Sequence, residues 1–161
     1  MSLIKLFTTA LAIVNSTLLT NPTNLSNTHI LTTVTNCDST SKFNYLNGTL
    51  TPETPKINEN FTLTIGYKNN YKIVNSGTID YTLNFNGLPY SFSEPLCSTN
   101  LPCPIELGDH LVASNPTSLD QLGKLVMTQK WTSDANDLLL CTKTVVNVAG
   151  SLSQNKKLRG L

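Results

Sequence analysis

Charge is what this chain has least of. Only 13% of its 161 residues are Asp, Glu, Lys or Arg, and the formal net charge is +1. There is no basic field to hold nucleic acid and no acidic tail. After the first residues, no stretch approaches the ~18 apolar residues that a transmembrane helix needs. Histidine is confined to His29 and His110. A Ser-His-Asp site needs a histidine beside a nucleophile and an orienting acid. His29 falls in a polar leader, so His110 alone is available, and no GxSxG precedes it. A glycosidase needs two facing carboxylates; Asp80, Glu94, Glu106 and Asp109 exist, but nothing in their spacing pairs them. Walker loops, GxGxxG and HExxH are missing. CxxC spacing is missing too, and the histidines are poorly placed to complete a zinc site. The expectation is a protein without catalysis, metal or cofactor.

What is present begins with MSLIKLFTTALAIVNS. Lys5 supplies a positive charge, Leu6 to Val14 form a short apolar run, and Ser16 offers a small residue at a cleavage site. That is the pattern of a secretory signal peptide over 1–16, with a cleavage site that could extend to about 20. Residues 17–36 are rich in Asn, Thr and Ser and read as a leader. A domain over 37–148 and a polar, basic tail over 149–161 follow. The tail carries Lys156, Lys157 and Arg159, and no apolar segment of a lipid-anchor signal. Asn24, Asn47 and Asn60 open glycosylation sequons, whereas Asn21 and Asn115 are followed by proline.

In an oxidising compartment, four cysteines read as disulfides, and three pairings are possible. We expect Cys97 with Cys103, closing a short loop, and Cys37 with Cys141, joining the start of the domain to its end. A redox or nucleophilic cysteine is the alternative, but nothing basic lies close in sequence except His110. The short staple therefore reads as scaffolding.

The middle of the chain is written in period two. Phe61, Leu63, Ile65 and Tyr67 alternate with Thr62, Thr64 and Gly66; Ile79, Tyr81, Leu83 and Phe85 alternate with Asp80, Thr82 and Asn84. Both are strands with one apolar face. Asn86-Gly87 is a tight turn into a further strand, Leu88 to Phe92. Leu122 to Trp131 and Leu138 to Val148 form a last pair around Asp134-Ala135-Asn136-Asp137. With Phe43 to Leu50 and Asp109 to Ala113, about seven strands emerge, which suggests an all-β antiparallel sandwich.

Several segments then carry a resemblance in order: Cys37, the alternating strands, Gly87-Leu88-Pro89-Tyr90-Ser91-Phe92, "EPLCSTNLPCPIELGDHL", "KLVMTQKW" and "LLLCTKTVVNV". The chain resembles the ML family of MD-2-related lipid-recognition domains over Cys37 to Val148. Within it, the likeness is to the Niemann-Pick type C2 branch, which includes phosphatidylglycerol/phosphatidylinositol transfer proteins. The resemblance implies an immunoglobulin-like sandwich of two antiparallel sheets, splayed at one end, with a lipid cavity between them. The walls it implies are Phe61, Leu63, Ile65, Tyr67, Tyr81, Leu83 and Phe85, completed by Leu125, Met127, Trp131, Val146 and Val148. Phe92 matches the aromatic that family members place at the pocket mouth. The implied protein is a secreted or endosomal/lysosomal monomer. It carries phospholipid or sterol between membranes by transient contact and needs no cofactor. The alternative is a secreted recognition or adhesion module with a filled core, reading partners through its loops. Two departures bear on ligand identity. Many relatives carry another short cysteine pair where this chain has Thr51-Pro52-Glu53-Thr54-Pro55-Lys56, and the residue after Cys141, often aromatic in relatives, is Thr142.

Overall fold

A computed structural model describes residues 32–148. The expected signal peptide, the Asn24 sequon and the basic tail lie outside the described residues. Eight strands form two antiparallel sheets, and no described residue is helical. The strands are β1 (Thr33–Asn36), β2 (Phe43–Thr51), β3 (Thr62–Asn69), β4 (Gly77–Phe85), β5 (Leu88–Pro95), β6 (Gly108–Ala113), β7 (Gly123–Ser133) and β8 (Leu138–Val148). One sheet has the order β1-β8-β7-β4-β5 and the other β2-β3-β6. The all-β sandwich expected from the alternation is the observed architecture.

The additional strand is β1. Thr33–Asn36 lies in the stretch read as leader, yet it pairs antiparallel with β8 from Thr33↔Val145 to Asn36↔Thr142. The segment TVTN shows no apolar alternation because Val34 alone is half-buried. Backbone pairing and the neighbouring Cys37–Cys141 bridge hold it instead. Phe61 and Leu122 fall just outside β3 and β7; Phe61 makes an isolated bridge to Thr117. Strand β5 runs on to Pro95.

Local chemistry sets the turns. Asn86 and Gly87 both have positive φ, 51° and 92°, the twist that joins β4 to β5 in a two-residue hairpin. The Asn86 side chain closes the same tip: its Nδ2 donates to the Leu122 carbonyl at 3.1 Å, and its Oδ1 accepts from the Lys124 amide at 2.9 Å. Between β7 and β8, the Asp137 amide donates to Ser133 Oγ at 3.2 Å, and Asn136 takes φ 62°.

The sheets do not meet evenly. On one edge β1 lies against β2. A side chain at Gly48 would collide with Val34, whose Cγ1 lies 2.3 Å from where a Cβ would sit. Tyr45 OH donates to the Val34 carbonyl at 2.7 Å. Strand β8 also approaches β2 there. Elsewhere the two sheets keep the wider spacing of face-packed layers, β5 and β6 included. The sheets approach most closely along β1, β8 and β2.

Candidate functional site between the sheets

Register decides which side chains face the partner sheet. Trp131 on β7 meets Tyr67 on β3 edge-on, with ring centroids 5.2 Å apart, so its face of the large sheet is the inner one. Cross-strand pairing then builds this face row by row. The first row is Glu94, Ile79, Trp131 and Leu140. Next come Phe92, Tyr81, Gln129 and Thr142, followed by Tyr90, Leu83, Met127 and Thr144. The last is Leu88, Phe85, Leu125 and Val146. From the small sheet, Leu63, Ile65, Tyr67 and Asn69 on β3 are buried opposite, flanked by His110 and Val112 on β6.

The end beside the stapled loop is packed by aromatic rings. Tyr67, fully buried, stacks on Phe43 at 5.3 Å and on His110 at 5.2 Å. Here Cys97–Cys103 does its work. The loop it closes carries buried Leu101, buried Leu96 precedes it, and Ile105 follows in an isolated bridge with Val74. Buried Asn69 donates to the carbonyls of Lys72, Ile105 and Glu106 at 2.8, 3.2 and 3.0 Å. The loop that links edge strands β5 and β6 is thereby fixed at their junction. The pairings Cys37–Cys141 and Cys97–Cys103 are those expected from the sequence. Such bridges fit an extracellular or lumenal protein.

The β5 edge of the large sheet is aromatic and partly polar. Tyr81 stacks on Phe92 at 4.6 Å, and Tyr90 leans on Phe92 at 5.7 Å. Burial pushes the Glu94 carboxyl above the ordinary glutamate value. Burial, and then the nearby Glu94 charge, push the Tyr81 phenol up as well. By register, Lys68, Lys124, Lys130 and Lys143 stand on the outer faces, so Glu94 has no lysine beside it on the inner face of its sheet.

Every wall residue expected from the sequence has an inward parity in this register. Phe61, Leu63, Ile65, Tyr67, Leu83, Leu125, Trp131, Val146 and Val148 are buried; Tyr81, Phe85, Phe92 and Met127 are half-buried. The carboxylates weighed for catalysis are scattered. Asp80 bonds Ser93 on the outer face, Asp109 pairs with Lys68 at 3.7 Å, and Glu106 is exposed. His110 Nε2 lies 2.7 Å from the Glu106 carbonyl oxygen.

Sequence reasoning missed the polar members of the inner face. Gln129, Thr142 and Thr144 are buried among the apolar residues. Thr142 Oγ1, Thr144 Oγ1, Tyr67 OH and Trp131 Nε1 have no protein hydrogen-bond partner, and the Gln129 amide nitrogen reaches only the weakly accepting Met127 sulfur at 3.7 Å. Parity was the available signal: Gln129 shares it with Met127 and Trp131, and Thr142 and Thr144 share it with Val146. Each unpaired polar group in a sealed apolar core costs about 1–3 kcal/mol.

Residues 32–148 match the family model of the ML domain. The chain belongs to the ML-domain family. The fold is similar to that of a Niemann-Pick type C2 protein from the Japanese carpenter ant, with a TM-score of 0.56 and 8% identity over 71% of this chain and 98% of that one. Chicken MD-1 complexed with lipid IVa aligns with a TM-score of 0.45 and 17% identity over 72% of this chain and 88% of that one. No curated protein sequence matches the chain. At 8% identity the carpenter-ant structure speaks for the fold alone, and it is the family model that places this chain among ML domains.

Proposed function

We propose that this ML domain carries a lipid between membranes, with the lipid's apolar part held between the two sheets, and that it does not modify its cargo. The carrying observation is the match of residues 32–148 to the ML-domain family model on a two-sheet sandwich; its sheets approach most closely at the β1–β2 edge, which leaves the β5–β6 edge as the proposed entrance. An acyl chain or sterol entering there would gain about 25 cal/mol per Å² of apolar surface removed from water. The walls are the inner rows, with Phe92, Tyr81 and Tyr90 at the entrance and Leu83 and Ile65 deeper. His110, stacked on Tyr67, is part of the wall rather than a general base.

Both sterol and phosphatidylglycerol or phosphatidylinositol are candidate cargoes. The entrance favours the sterol, because Glu94 sits there and, among the described residues, the inner face of its sheet offers no lysine to hold a phosphate. Membrane contact is assigned to the hairpin tip. Leu88 and Leu122 are 57% and 53% exposed, and Asn86 ties their segments together beside basic Lys124. The protein acts as a secreted or endosomal/lysosomal monomer, glycosylated at exposed Asn47 and Asn60. Purified protein extracted with organic solvent should release a co-purifying lipid in mass spectrometry. Fluorescent sterol should then move from donor to acceptor vesicles, chemically unchanged. No movement above background for sterol or either phospholipid would defeat the reading, and hydrolysis of the lipid would defeat it equally.

A further inference from the structure

The inner face carries more polar chemistry than a hydrocarbon needs. Gln129 and Thr142 are direct cross-strand partners on β7 and β8. Thr144 lies two residues along β8, on the same face, opposite Met127. All three are more than nine-tenths buried. The hydroxyls of Thr142 and Thr144 lack a protein partner, and the Gln129 amide has only a thioether. Apolar rows enclose this belt on both sides, Ile79, Trp131 and Leu140 on one and Phe85, Leu125 and Val146 on the other. Unpaired donors therefore sit mid-way along the proposed lipid site, not at its entrance.

We infer that the cargo carries a hydrogen-bonding oxygen within its buried body, a hydroxyl or keto group on an acyl chain or sterol skeleton, and that Gln129, Thr142 and Thr144 bind it. The inference rests on the lipid-carrier reading and narrows it. A plain chain would leave these groups unpaired when water is excluded, whereas an oxygenated one pairs them. The discrimination works in the direction that sites built around hydrogen bonds usually show, with the analogue lacking the oxygen rejected because it strands buried polar groups. Threonine also suits the role sterically. It has the shape of valine, so the wall stays flush while gaining a hydroxyl that can donate or accept.

The test uses ligands that differ only in that oxygen. Stearate is compared with 10- and 12-hydroxystearate on the full-length protein, so that the shared carboxylate cancels. The wild type should bind at least one hydroxystearate about fivefold or more tightly than stearate, the scale of one net hydrogen bond. Thr142→Val with Thr144→Val should bind stearate at least as well as the wild type and lose the preference. Thr142→Ser with Thr144→Ser, which retain the hydroxyls, should keep it, and this second pair guards against misfolding of the first. Equal binding of all the fatty acids by wild type would overturn the inference while leaving the carrier standing. A preference that survives undiminished when Gln129→Leu is added to the valine variant would overturn it too, since the discrimination would then lie elsewhere. If none of these fatty acids, sterol or either phospholipid binds at all, the carrier reading itself falls, and the inference with it.

Discussion

Leu83→Trp separates a lipid-accepting interior from a filled one. Leu83 is 3% exposed and lies one strand in from the β5 edge, between Tyr90 on β5 and Met127 on β7. In a filled core the larger indole overpacks, which costs about 1–3 kcal/mol. For about 117 residues between 32 and 148, the unfolding entropy is roughly 0.25 kcal/mol per kelvin, so Tm should fall by about 4–12 °C. If a lipid normally occupies that volume, the indole fills it instead. Tm should then stay within about 2 °C of the wild type, and displacement of a fluorescent sterol should show affinity reduced about tenfold or more. Thermal unfolding followed by circular dichroism, paired with that displacement assay, reads both quantities. A Tm loss of the larger size with unchanged lipid binding would refute the carrier and favour a recognition module with a solid core. No change in either would mean that Leu83 does not face the partner sheet, against the register drawn here.

Cys37→Ala with Cys141→Ala opens a link of sequence separation 104. The chain-entropy relation gives about 4–5 kcal/mol for such a loop, so calorimetry should show Tm lower by roughly 15–20 °C. Cys97→Ala with Cys103→Ala, separated by six residues, should cost only about 2 kcal/mol; equal losses would contradict the loop-length argument. Glu94→Gln tests the buried carboxylate. Burial holds its folded pKa above the unfolded value, so wild-type stability falls as pH rises from the ordinary glutamate value through the raised one and is level beyond it. Denaturant melts should show the variant gaining on wild type across that window and matching it below; parallel pH profiles would exclude the buried carboxylate as their cause. Leu88→Ser with Leu122→Ser, both exposed, should leave Tm within about 1–2 °C and slow transfer between vesicles while ligand affinity in solution is retained. Unchanged transfer would move the membrane contact away from the hairpin tip.

The sequence by itself determined the strands that alternate, the Asn86-Gly87 hairpin, the presence of disulfides and the inward parity of the apolar strand positions. These depend on near-neighbour chemistry: period-two burial, backbone preference in tight turns, and cysteine count in an oxidising compartment. Strand β1 was not legible, because TVTN has no apolar face and its pairing partner lies more than a hundred residues along the chain. Nor was the close approach of the two sheets at β1 and β2, which depends on Gly48 admitting Val34. Thr142 illustrates the division most clearly. In sequence it is a threonine where relatives often have an aromatic. Only sheet pairing sets it beside Gln129, buried and unpaired. Whether a hydroxyl is a surface group or a buried donor is fixed by what folds over it, and here that is decided by residues from the opposite sheet.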